Sequence, residues 1–144
     1  MNAYQRAQYY LKTSFPYTRE EYKKIDELIE PLCHLLTEKG YITLHSCSAH
    51  IGEETKKSIQ WYVLFVATKN IKHIQKIVKQ INKKHNYQIK IRDTRKAGKE
   101  ICKLTRRWVI EYFLHDVKTK EELIQINQII YQEFVIHMKE LKNV

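Results

Sequence analysis

The stretch NIKHIQKIVKQINKKHNYQIKIRD, residues 70 to 93, changes its hydrophobic period partway along. From Asn70, a helix-capping residue type, apolar side chains recur as Ile71, Ile74, Ile77, Val78 and Ile81, the spacing of one buried helix face. Lys72, Lys76, Lys79 and Lys83 fall on the opposite side. The period then drops to two. Tyr87, Ile89 and Ile91 alternate with Lys90 and Arg92, which predicts a strand with one apolar face and Lys90 and Arg92 on the other.

Working outward, two more strands precede this unit. Tyr41 to about Cys47 is the first, a polar and charged loop runs from Gly52 to Ser58, and Ile59 to Thr68 is the second, apolar enough for burial on both faces. Before them, Thr18 and Glu21 form a capping box that opens a helix with the stripe Ile25, Leu28, Ile29, Leu32, Leu35 and Leu36, stopped by Gly40. On the other side, Asp93 to Lys99 is a basic loop and a long strand lies somewhere within Ile101 to His115. A second capping box, Thr119 with Glu122, opens a final helix through Leu123, Ile126, Ile130, Phe134, Met138 and Leu141. The order is helix, strand, strand, helix, strand, strand, helix. It predicts an α+β or α/β fold: a four-stranded, mostly antiparallel or mixed sheet with helices packed mainly on one face. Residues 18–144 form a single domain in this reading, after a Tyr-rich lead-in over residues 1–17. The uncovered sheet face is left for a ligand or for an oligomer contact.

Charge is distributed unevenly along the chain. Residues 69–107 hold fourteen Lys and Arg against Asp93 and Glu100, so the formal excess of +10 lies in this segment while the two ends nearly cancel. A clustered positive field concentrates anions and speeds their capture, which points to a phosphate-bearing partner, a nucleotide or RNA. Trp61, Tyr62, Phe65, Trp108, Tyr112, Phe113 and Tyr131 flank the segment and offer stacking surfaces. A lysine-rich face that only keeps the protein soluble is the plainer alternative. The three cysteines, Cys33, Cys47 and Cys102, are too few and too irregular for a disulfide scaffold. The longest apolar run, Trp61 to Ala67, is far too short to span a membrane. A soluble, cytoplasmic protein without a membrane partner is expected.

The run Thr43-Leu44-His45-Ser46-Cys47-Ser48-Ala49-His50 reads as a strand end and turn. Strict alternation puts Thr43, His45 and Cys47 on one side, and Ile42, Leu44 and Ser46 on the other. Small hydroxyl residues around a cysteine would leave amides and hydroxyls to hold an anion; the alternative is a tight turn in which Ser46 and Ser48 satisfy nearby backbone groups. His45, Cys47 and His50 are zinc-ligand types, but their spacing matches no zinc signature and a fourth ligand is not evident, so no metal is expected. A nucleophilic Cys47 activated by His45 or His50 lacks a carboxylate to orient the base.

Ile42 to Ile51, followed by Trp61-Tyr62-Val63-Leu64-Phe65-Val66, resembles the opening of the tRNA wybutosine-synthesising methyltransferase family. That family has a Ser-Cys-Ser-Gly-Arg motif at a strand end and a Trp-containing strand after a short loop. The stretch from Arg107 to Ile130 is loosely similar to its next strand and helix. The resemblance covers about half the chain, and Ser46, Cys47 and Ser48 match the core motif identically. It implies an α/β protein that methylates a modified tRNA guanosine using S-adenosylmethionine, with Ser46, Cys47 and Ser48 lining the pocket beside Trp61. Ala49 stands where the family has Gly, and His50 replaces Arg, removing a fixed bidentate phosphate donor. Both departures weaken the case for catalysis more than the case for a nucleotide pocket.

Taken together, these residues predict a basic cleft beside the Ser46–Ser48 turn, lined by Thr43, His45, Ser46, Cys47, Ser48, His50, Trp61, Lys90, Arg92, Arg95, Arg106, Arg107 and Trp108. Trp108 shares a side with Ile110 and Tyr112, either to stack on a base or to join the core. The expected function is binding of a nucleotide or RNA. Its alternatives are a tRNA methyltransferase, a non-catalytic trap for a cyclic nucleotide signal, and a protein-interaction domain that assembles a homo-oligomer.

Overall fold

The computed structural model of the chain describes residues 25–52, 57–67, 69–94 and 107–143. Its elements run α1 (Glu30–Glu38), β1 (Tyr41–His50), β2 (Ser58–Ala67), α2 (Lys72–His85), β3 (Lys90–Asp93), β4 (Arg107–Phe113) and α3 (Lys120–Met138). The strands form one antiparallel sheet in the order β1-β2-β4-β3, and the three helices pack on one face of it. The predicted architecture is the observed one. Among the described residues no helix is long and apolar enough to cross a membrane.

The helices begin and end where local chemistry directs. In α2, the Asn70 side chain accepts from the Lys72 amide at 2.9 Å, and Asn86 closes the helix in the left-handed conformation, which Asn tolerates better than most residues. Thr119 caps α3 as read: its Oγ1 accepts from the Glu122 amide at 3.2 Å, and the hydroxyl donates to the Glu122 carboxylate at 3.0 Å. The first helix is shorter than predicted. Residues 25–29 form a turn in which the amides of Ile29 and Glu30 both reach the Asp26 carbonyl, and α1 starts only at Glu30. Pro31 explains the boundary, because proline is tolerated in the first helical turn but not further in. Gly40, at φ 98°, ends α1 in a conformation other residues resist. The capping box Thr18–Glu21 and the lead-in 1–17 lie outside the described residues.

The sheet's helix-facing side carries Trp61, Val63 and Phe65 from β2 and Ile110 from β4, packed against Leu32, Leu36, Ile74, Ile81, Ile130 and Phe134. Burying such a set of aliphatic and aromatic side chains is the main stabilising contribution to the fold. The opposite side has its own small buried cluster, Ile42, Leu44 and Val66 with Leu64 against it. The double-sided burial expected of the second strand is therefore present at its C-terminal half.

Candidate functional site

The residues expected to line one cleft separate onto two faces, and the cause is a pair of irregularities in β1. The register of β1 against β2 slips between Thr43 and His45, and again between Ser48 and His50. A bulge inserts one extra residue and resets the alternation beyond it. As a result Thr43, Ser46 and Ser48 lie opposite Phe65, Val63 and Trp61 on the helix side, whereas His45 and Cys47, opposite Leu64 and Tyr62, share the other side with Ile42 and Leu44. The expected grouping of Thr43 with His45 and Cys47 is corrected accordingly. The Ser46–Ser48 run is also part of the strand, which continues to His50, and not a turn.

The helix-side residues are committed to the fold. The Thr43 and Thr37 hydroxyls are 3.2 Å apart. Burial pushes the Cys33 thiol up to about 11, against the opposing influence of hydrogen bonds with Ser46 and Thr43, so this thiol stays protonated. Ser48 donates from its hydroxyl to Asp26 Oδ2 at 3.2 Å, and its carbonyl accepts from the Asn127 amide at 3.5 Å. Trp61 is fully buried and donates from Nε1 to Asn127 Oδ1 at 3.0 Å. Trp108, opposite Phe65, packs against the main core. Ser48 and Trp61 therefore belong to the interior, and Trp108 is partly buried against it. Of the pocket that the resemblance implies, Ser48 has 3% of its surface exposed and Trp61, in the adjoining strand, 0%.

The other face collects the remaining residues. Lys90 and Arg92 lie opposite Glu111 and Val109, and Arg107 lies opposite Val66, all on the side of His45 and Cys47. Because β1 and β3 are at opposite edges of the sheet, about 14 Å apart at ordinary strand spacing, Lys90 and Arg92 do not meet the Ser46–Ser48 run in a single cleft. What lies between them is contributed by β2 and β4. Tyr62 stacks on His45 with ring centroids 5.4 Å apart and planes within 7°, and its hydroxyl shares a short hydrogen bond with His45 Nδ1. Burial lowers the His45 pKa, partly countered by the Asp26 charge, so the ring is largely neutral at neutral pH. Phe113 is 43% exposed and stacks on His115 at 6.2 Å. Between the two ring pairs, the nearly buried Glu111 carboxylate accepts from Arg92 Nε at 2.8 Å and from Gln60 Nε2 at 3.2 Å. Arg92 keeps half its side chain exposed, and a guanidinium has five donors, so one bond to Glu111 does not exhaust it. Arg95 and Arg106 lie outside the described residues.

Reasoning from sequence missed Asp26, Glu111 and Asn127. Asp26 Oδ2 accepts from the Ser48 amide at 3.1 Å and stands 3.4 Å from His50 Nε2, bringing a carboxylate to the end of β1. Nothing in the local sequence signals that pairing. Asn127 had a signal: it occupies an apolar-stripe position between Leu123 and Ile130, and a polar residue there must find a buried partner. Glu133, on the same helix, is also buried, and it holds Lys84 Nζ at 2.8 Å with His85 and His137 both 3.5 Å away. No family model, curated protein or solved structure matches the chain.

Proposed function

We propose that the exposed part of the sheet face opposite the helices, next to the buried Ile42, Leu44 and Val66, binds single-stranded RNA. The observation that carries this reading is the shared face itself: stacked aromatic rings on β1, β2 and the end of β4, with Lys90 and Arg92 on the neighbouring β3 and Arg107 at the far end of β4. Bases stack on exposed aromatic faces with about 1–3 kcal/mol each, largely without regard to sequence, while cations follow the backbone. Tyr62 and Phe113 are the stacking residues, and neutral His45 holds the Tyr62 ring flat through the hydrogen bond and the stack. The concentration of positive charge in residues 69–107 provides the long-range attraction. A mononucleotide offers the same chemistry on a smaller scale and would occupy one ring and one cation.

The test is fluorescence anisotropy with a labelled oligoribonucleotide across a salt series. Tyr62→Ala and Phe113→Ala should each weaken binding about tenfold. Lys90→Glu and Arg107→Glu should each flatten the salt dependence, since a phosphate contact on a single strand contributes about −0.7 to the slope of log K against log salt. Binding that survives all four changes but is lost when Lys72, Lys76, Lys79 and Lys83 become Glu would move the interface to the exposed side of α2 and overturn the proposal.

A further inference from the structure

Asp26, Cys47 and His50 gather at the outer edge of β1. One donor atom from each (the Cys47 sulfur, a ring nitrogen of His50 and a carboxylate oxygen of Asp26) lies within 4.8 Å of the other two, and all three residues are partly buried. His50 Nε2 and Asp26 Oδ2, 3.4 Å apart, already stand at the ligand-to-ligand separation of a tetrahedral site with bonds of about 2.0–2.3 Å. We propose that these three side chains bind a zinc ion and leave its fourth position to water.

The backbone is shaped to bring them together. Positions 47 and 50 are an odd number of residues apart and would face opposite sides of a regular strand. At the second slip Ala49, at φ 68°, stands against two residues of β2, Ile59 and Gln60, and this irregular backbone brings the His50 ring to the Cys47 sulfur. A non-glycine residue held in that region costs about 1–3 kcal/mol, and such strain persists where the surrounding structure enforces it. Asp26 is oriented in turn: the Ser48 amide and hydroxyl both donate to Oδ2, at 3.1 and 3.2 Å, the kind of outer support that ligating carboxylates receive.

The donor set selects the metal. Thiolate, imidazole and carboxylate together suit zinc, whereas magnesium and calcium prefer oxygen alone and Cu(I) prefers sulfur. A cysteine–histidine–carboxylate relay fits less well, because it would hold Cys47 and Asp26 on opposite sides of the imidazole, and here their donor atoms converge. His50 also lines an open cleft of about 720 Å³ with Lys57, Ser58 and Lys118, which gives the ion and its water a route from solvent. Coordination takes up the Cys47 thiolate and releases its proton to the buffer, so affinity should rise with pH. The site stands independently of the RNA reading.

The intact chain is titrated with Zn²⁺ by calorimetry and with Co²⁺ as a spectroscopic probe, circular dichroism confirming that each variant folds. One ion per chain is expected, with a thiolate-to-cobalt charge-transfer band in the near ultraviolet that disappears in Cys47→Ser. His50→Gln and Asp26→Asn should weaken Zn²⁺ by about a hundredfold, and Ser48→Ala by about tenfold through the outer shell. Cys33→Ser and Cys102→Ser should change nothing. If Cys47→Ser does not fold, protection of Cys47 from alkylation by Zn²⁺ in the unaltered chain replaces it. No binding by the unaltered chain, affinity indifferent to Asp26, Cys47 and His50, or Cys47 alkylated equally with and without zinc would each overturn the proposal.

Discussion

Trp61 and Asn127 are joined by a 3.0 Å hydrogen bond from the indole N–H to the amide oxygen, with both side chains buried. The same amide donates to the Leu123 carbonyl at 2.9 Å and to the Ser48 carbonyl at 3.5 Å, so one side chain of α3 ties together β1, β2 and its own helix. Asn127→Leu strands the indole N–H and should lower stability by about 1–3 kcal/mol. Adding Trp61→Phe removes the stranded donor, and urea denaturation of the four-member cycle should show a double variant less destabilised than the sum of the singles. Strict additivity would mean that the bond contributes nothing.

Ala49 provides a sharper check on the strand geometry. Its φ of 68° is tolerable for alanine but severe for a β-branched residue, so Ala49→Val should destabilise the protein by about 2 kcal/mol or more. Ala49→Gly relieves the strain while giving up a buried methyl, two effects of about 1 kcal/mol that nearly cancel. Equilibrium unfolding that ranks Val equal to Gly would contradict the second bulge.

Glu133 makes the fold sensitive to acid. The hydrogen bond from Lys84 pulls its carboxyl below the usual 4.5, with His85 assisting and burial opposing. A depressed carboxyl stabilises the folded chain fully above its unfolded value, and that contribution fades as pH falls through the folded one. The stability gap between the unaltered chain and Glu133→Gln should therefore shrink as pH falls below about 4.5, where the carboxylate itself is neutralised. A gap that still widens below pH 4.5 would reverse the assignment.

His45 titrates in the opposite environment. Burial holds its pKa below 6.5 while the Asp26 charge pulls upward, so Asp26→Asn should lower the midpoint further, as followed by NMR of the ring protons. Because the folded value is depressed, the neutral ring's contribution to stability is complete above 6.5 and is lost as pH falls through the folded value. An upward move in Asp26→Asn would show that the aspartate does not act on this ring.

Arg92 and Lys90 separate folding from binding. Arg92→Met leaves the Glu111 carboxylate with Gln60 as its remaining partner of the two, and because the arginine is half exposed the cost should be only about 1 kcal/mol. Lys90→Met, at a solvent-exposed position, should stay within about 0.5 kcal/mol of the unaltered chain. Both should weaken RNA binding in the anisotropy assay. An effect of Arg92→Met on stability with none on binding would make that arginine purely structural.

The elements were legible because periodicity and capping agree with each other in this chain. The stripes of α2 and α3, the Thr119–Glu122 box and the alternation at Ile89 and Ile91 each pointed to one structure, and Lys90 and Arg92 face the side expected of them. The site was less legible, for a specific reason. Alternation carries facing information only while a strand is regular, and β1 slips at Leu44 and Ala49, neither of which is the glycine that often marks a bulge. One slip exchanged the partners of His45, and the other brought His50 to Cys47. The Asp26 contacts join residues far apart in sequence, where no local pattern operates.

The way α1 and the turn before it lie along β1 has a further consequence. Among the described strands, β1 pairs on one side only, and such a border exposes amides that another chain's strand can capture. Two of those amides are already occupied: Thr43 N–H reaches the Thr37 hydroxyl at 3.3 Å, and Ser48 N–H reaches the Asp26 carboxylate. A short hydroxyl near one end and a negative charge near the other leave an incoming strand no continuous ladder to extend. The chain thereby carries its own safeguard against fibril-like stacking along this border.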